Sequence, residues 1–98
     1  MDSDEREHVG PVLTAGPLAE AVVAAIRASN ADVTVVDRGA YLRVLVPRRC
    51  RLDGALVAEL VRGDFRLPSD LEAIMPSFRG TLSITSEAAI WELRGRTT

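Results

Sequence analysis

Lysine is absent from this 98-residue chain, and histidine and cysteine occur once each. All twelve basic residues are arginine, a bias that genome composition accounts for as readily as chemistry. The lone cysteine, Cys50, excludes an intrachain disulfide and a cysteine-based metal site. It also fits a reducing compartment. Between Arg49 and Arg51 its thiol is expected to have a lowered pKa. No base accompanies it, however, so the residue reads as a structural thiol rather than a nucleophile. The single histidine, His8, lies in or beside a charged tail, whereas a catalytic triad or a histidine metal cluster needs its imidazole held rigidly. The seven glycines are too scattered for a phosphate-binding loop. The carboxylate pairs Asp2/Asp4 and Glu5/Glu7 fall in the same tail, where nothing would hold one of them protonated.

Aromatic residues are equally scarce, limited to Tyr41, Phe65, Phe78 and Trp91. Only Tyr41 lies within the basic part of the chain, so the stacking platform of an RNA-binding sheet is missing. A net charge of −2 and a pI near 5.3 also argue against a nucleic-acid partner. The longest apolar run, AVVAAI at residues 21–26, is far too short to span a bilayer. The start, MDSDEREHVG, is charged and lacks the apolar core of a signal peptide. The expectation is a soluble cytoplasmic protein without membrane or nucleic-acid partners, catalytic residues, metal or cofactor.

What is present is a single domain's worth of alternating strand and helix signals. A chain of this length buries roughly 60–65% of its unfolded surface. Residues 1–8 are expected to form a mobile tail, 9–94 the domain and 95–98 a second tail. VGPVL (9–13) has the composition of a short strand, which Pro11 should confine to an edge or a strand end. Gly16-Pro17 opens a helix whose Leu18, Ala21, Val22, Ala25 and Ile26 form one apolar stripe. Asn30 is its stop. DVTVV (32–36) is a strand, Asp37-Arg38-Gly39 a turn, and the return strand puts Ala40, Leu42, Val44 and Val46 on the core face. Tyr41, Arg43 and Leu45 occupy its other face. Asp53 should cap a second helix with Leu56, Val57, Leu60 and Val61 buried and Gly63 closing it. Ser69-x-x-Glu72 is a capping box for a short third helix that Pro76 stops. Residues 81–86 and 89–93 are two final strands, the first with Leu82 and Ile84 inward. Trp91 belongs to the core. The predicted order is β-α-β-β-α-α-β-β, an α+β sandwich with helices packed on mainly antiparallel sheet.

Charge is divided unevenly along the chain. Residues 2–7 sum to −3, whereas residues 38–51 carry Arg38, Arg43, Arg48, Arg49 and Arg51 and no acid. Such a division steers docking onto a complementary protein surface, or simply solvates a rim. From composition and spacing alone the reading is a small cofactor-free binding module, regulatory or ligand-binding.

Five segments in order carry a more specific resemblance: VGPVLTAG (9–16), AEAVVAAI (19–26) followed by Asn30, VVDRGAYLRV (35–44), VRGDFRLPSDLE (61–72) and SFRG (77–80). Together they resemble the effector proteins of soluble diiron monooxygenases, the coupling or regulatory components of methane, phenol, toluene and alkene monooxygenases, over about residues 9–93. The resemblance implies a protein without cofactor or turnover of its own that docks on the hydroxylase component above its diiron centre. It implies control there of substrate and oxygen access and of electron transfer. Coupling of NADH use to hydroxylation, often in aromatic hydrocarbon catabolism, and competition with the system's ferredoxin or reductase follow from the same resemblance. Two positions depart from the family's usual pattern: His8 stands where toluene-type relatives carry asparagine, and Asn30-Ala31 replaces an Asn-Pro, so subfamily and substrate stay unassigned. Carried over by position, the expected hydroxylase contacts are Asn30, Arg38, Tyr41 and Arg43, with Phe65, Leu67, Ser77, Phe78 and Gly80 as a second group. Phe65 and Phe78 have a core role as their alternative, and Gly80, like Gly39, a conformational one.

Overall fold

The computed structural model describes residues 7–93; residues 1–6 of the tail expected at 1–8, with Asp2, Asp4 and Glu5, and the whole of the tail expected at 95–98 lie outside the described residues. The elements are β1 (His8–Thr14), α1 (Pro17–Ser29), β2 (Thr34–Asp37), β3 (Tyr41–Pro47), β4 (Arg49–Asp53), α2 (Gly54–Val61), α3 (Ser69–Glu72), β5 (Ser77–Arg79), β6 (Thr81–Ile84) and β7 (Ala88–Glu92). The eight expected elements occur in the expected order, with β4 and β5 in addition. The strands form a four-stranded sheet of order β2-β3-β1-β5 and a three-stranded sheet of order β4-β7-β6, antiparallel throughout. The α+β class with helices on antiparallel sheet holds.

Two corners pass the chain from the first sheet to the second. Arg48 (φ 67°) separates β3 from β4, and Gly80 (φ 102°) separates β5 from β6. Strands that change sheet at a tight bend are how two sheets close around one core. β4 hides in the sequence because Pro47 and the arginine run look like loop. Its alternation is nevertheless clear, with Cys50 and Leu52 buried between Arg49, Arg51 and Asp53.

β1 begins at His8, one residue before the expected strand and inside what looked like tail. It is also internal to its sheet, with β3 on one side and β5 on the other, so Pro11 is not at an edge as expected. The missing N–H is tolerated because the β1–β3 ladder pauses at Gly10 and Pro11, resuming at Val12↔Arg43.

One continuous core joins both sheets to all three helices, with Trp91, Leu13, Ile26, Leu52, Leu71, Val44 and Val57 fully buried. α1 starts with Pro17 in its first turn and buries Ala19, Val22, Val23, Ala25 and Ile26, so the stripe is rotated slightly from the predicted one. α2 departs further. Asp53 accepts a hydrogen bond from Ala55 N–H at 3.0 Å, as its capping role requires, but Leu60 and Val61 are exposed rather than buried. The helix presses its first turn onto the core: a Cβ on Gly54 would lie 3.1 Å from Leu67 Cδ1 and 3.2 Å from Glu87 O. Its eight residues then carry the last turn outward. Arg62, not Gly63, takes the left-handed closing conformation (φ 58°). The capping box is not formed either, because Ser69 is already helical and makes no cap bond. The Asp70 carboxylate instead accepts from Arg66 N–H at 2.8 Å. Ala40, expected in the core, is exposed at the end of the β2–β3 hairpin.

Candidate functional site

The hairpin turn is built as the sequence suggests. The Asp37 carboxylate accepts from Gly39 N–H at 2.8 Å, Arg38 N–H donates to Tyr41 O at 2.8 Å, and Gly39 adopts φ 81°. That conformation suits glycine, and the turn leaves Arg38 exposed at the tip.

Cross-strand pairing then decides which side chains share a face, because residues directly opposite in an antiparallel ladder point the same way. Arg43 is opposite Val36 on β2 and Val12 on β1, and Val12 is opposite Ser77 on β5. One row therefore reads Val36–Arg43–Val12–Ser77. The row beside it contains Thr34 paired with Leu45, and Gly10 paired with Arg79. Tyr41 pairs with Thr14 at the hairpin end. Val9, Leu13, Leu42, Val44 and Val46, the alternate residues of the same strands, all belong to the core, whereas Val12, Val36 and Leu45 do not. The four-stranded sheet thus has one face on the core and a second, open face carrying Tyr41, Arg43 and Ser77 from both expected groups. Arg79, Val12 and Val36 share that face and were not anticipated; the pairing partner of each, not its own sequence context, reveals them.

The remaining candidates are placed elsewhere. Asn30 is fixed by its own amide, which donates to Ile26 O at 2.7 Å and Arg51 O at 2.9 Å and accepts from Arg51 N–H at 3.0 Å. It closes α1 and ties that helix to β4. Leu67 is buried in the core, and Phe65 packs partly against it. Phe78, for which a core position was the alternative, is 42% exposed, because β5 is a three-residue edge strand that carries it past the sheet. Gly80 is conformational: besides its positive φ, a Cβ there would lie 2.7 Å from Glu92 O and 2.8 Å from Val9 Cγ1.

The five-arginine segment divides as well. Arg48 and Arg49 form exposed ion pairs with Glu7 and Glu92, each at 3.3 Å, interactions worth little in water. The Arg51 backbone is held by Asn30. Arg38 and Arg43 are left without an ion-pair partner among the described residues, and so is Arg79. Cys50 is fully buried, and desolvation pushes its thiol up to about 12, opposite to the lowering expected from its arginine neighbours. Their charged ends lie outside while the sulfur faces the core. His8 lies in β1, and no group of three or more potential metal ligands exists among the described residues. No described helix is long and apolar enough to cross a membrane. Surface depressions among the described residues include one of ≈ 420 Å³ beside His8, Asp32 and Thr34 and one of ≈ 450 Å³ beside Arg51, Asp53, Phe65 and Glu87.

A profile of the MmoB/DmpM family matches residues 7–92, nearly the whole described domain. The chain belongs to the MmoB/DmpM family. Membership confirms the resemblance read from the five ordered segments and sets aside an unrelated α+β module. The chain is 38% identical over 93 residues to the alkene monooxygenase system effector subunit of Xanthobacter autotrophicus, a match covering 93% of this chain and 91% of that one. Its fold is similar to that of a chain in a phenol hydroxylase–regulatory protein complex, with a TM-score of 0.78 at 15% identity, covering 89% of this chain and 98% of the other. The fold is therefore shared by this pair at low sequence identity.

Proposed function

We propose that this chain is the effector component of a soluble diiron monooxygenase, a cofactor-free protein that binds the hydroxylase component and regulates it. The observation that carries the reading is the match over nearly the full length of both chains to a relative named as an alkene monooxygenase effector subunit. A non-catalytic role agrees with the side chains available. The only thiol is buried and protonated, and the candidate residues are arginine, tyrosine and serine on a sheet face rather than an acid–base pair in a cleft.

In physical terms the effector acts through differential affinity. By binding one hydroxylase conformation more tightly than another it shifts the population toward that state, and the hydroxylase's substrate, oxygen and electron pathways change with it. Coupling of NADH use to hydroxylation then rises because oxygen activation is confined to the effector-bound state. A docked effector also covers hydroxylase surface, which places it in competition with the ferredoxin or reductase for overlapping ground. The combination of partly exposed arginine and exposed tyrosine with half-buried valine suits such a role, since arginine and tyrosine are favoured anchors in protein interfaces. Reconstitution with the cognate hydroxylase and reductase tests the proposal. Turnover, coupling or regioselectivity should change on adding the protein, and no change in any of the three overturns it.

A further inference from the structure

Resting on the effector reading, we infer that the open face of the four-stranded sheet is the docking surface, and that Arg43 and Arg79 receive carboxylates of the hydroxylase. Both guanidinium-bearing residues are only partly exposed, neither forms an ion pair among the described residues, and the paired positions of this face include no Asp or Glu. Arg43 lies between Val36 and Val12, so its stem is flanked by apolar side chains while its guanidinium has no counter-ion among the described residues, and a carboxylate brought by a partner can form a charge-assisted pair there. The face lies within a chain of net charge −2, so its positive character is local and oriented rather than a general property.

The geometry also constrains the partner. Arg43 and Arg79 are two strands and one row apart, about 12 Å by ordinary strand spacings. The matching surface therefore presents two acidic groups at a comparable separation. Between them lie Val12, Leu45 and Gly10. Gly10 is itself buried and adopts φ 143°, and a Cβ there would collide with the Val44 backbone, so its role is conformational. Leu45 is buried although it lies outside the core cluster, so half-buried Val12 is the apolar side chain that the face presents between the two cations. Tyr41 and Thr14 border it at the hairpin end and Ser77 at the edge strand, supplying hydroxyls for a polar rim.

The experiment compares binding of the purified chain and of Arg43→Glu, Arg79→Glu and Arg66→Glu to the cognate hydroxylase, at low and high salt. Arg66 is an exposed loop residue away from this face and gives the same change in net charge. Each face reversal should weaken binding about tenfold or more, and flatten its salt dependence, while Arg66→Glu stays close to wild type. Melting curves accompany the titrations, and Arg79→Glu, on the edge strand, decides alone if Arg43→Glu unfolds. Wild-type binding that both face reversals leave unchanged, or that Arg66→Glu weakens equally, overturns the inference and leaves the effector reading intact. A wild-type chain that neither binds the hydroxylase nor alters its turnover overturns both.

Discussion

Asn30 and Cys50 show how a side chain's partners decide its meaning. Asn30 reads in the sequence as a loop amide available for recognition, yet its amide bonds to Ile26 and Arg51 backbone. Asn30→Ala strands the Arg51 N–H and C=O in a part-buried position and should cost about 2–3 kcal/mol of stability, read by chemical denaturation. The hydroxylase affinity of the surviving folded fraction should not move. Cys50 makes a pH prediction. Its folded pKa is raised from 9.0 to about 12, so the buried thiol favours the folded state fully below pH 9. Above that the unfolded chain ionises first, and stability falls as pH rises toward 12, by on the order of 4 kcal/mol at most. Unfolding titrations of wild type against Cys50→Ala isolate the contribution, because the variant lacks this slope. A wild type no more alkali-sensitive than the variant contradicts the buried-thiol account.

At the scale of elements, periodicity located every helix and most strands but could not say how much of each would be covered. α2 has an apolar pattern on paper, and the structure fully buries only Gly54 and Val57 of its first turn. Val57→Ala should therefore destabilise by about 2 kcal/mol through lost burial, whereas Leu60→Ser, at a position 47% exposed, should stay within about 0.5 kcal/mol. Equal losses at both positions would mean that Leu60 is buried in solution. The two unforeseen strands have separate causes. β4 follows Pro47 so closely that the corner at Arg48 reads as an ending rather than a change of sheet. β5 is three residues long, below the length at which alternation is visible, and exists because β1 offers it an edge. The failed capping box shows the same limit. Its residue types are right, but Pro68 holds the cap position and shifts Ser69 into the helix.

For the whole molecule, the fold class and the family were legible because both depend on order and spacing along the chain. The candidate surface was legible only in part. Tyr41 and Arg43 follow from strand alternation within one hairpin, while Arg79, Val12 and Val36 join them through pairings between distant segments that no local pattern encodes. Charge followed the same division. Five arginines in fourteen residues suggested one basic patch, but Arg48 and Arg49 are neutralised by Glu7 and Glu92, and the open face instead recruits Arg79 from the far end of the chain. The described residues form a two-sheet frame that presents one open sheet face, which suits a protein whose effect is exerted through a partner's conformation. The most direct measurement is product formed per NADH consumed by the cognate hydroxylase and reductase as this protein is titrated in. The effector account predicts that the ratio rises and saturates near one effector per active site. A ratio that stays flat across the titration, with rate and regioselectivity unaltered, contradicts it.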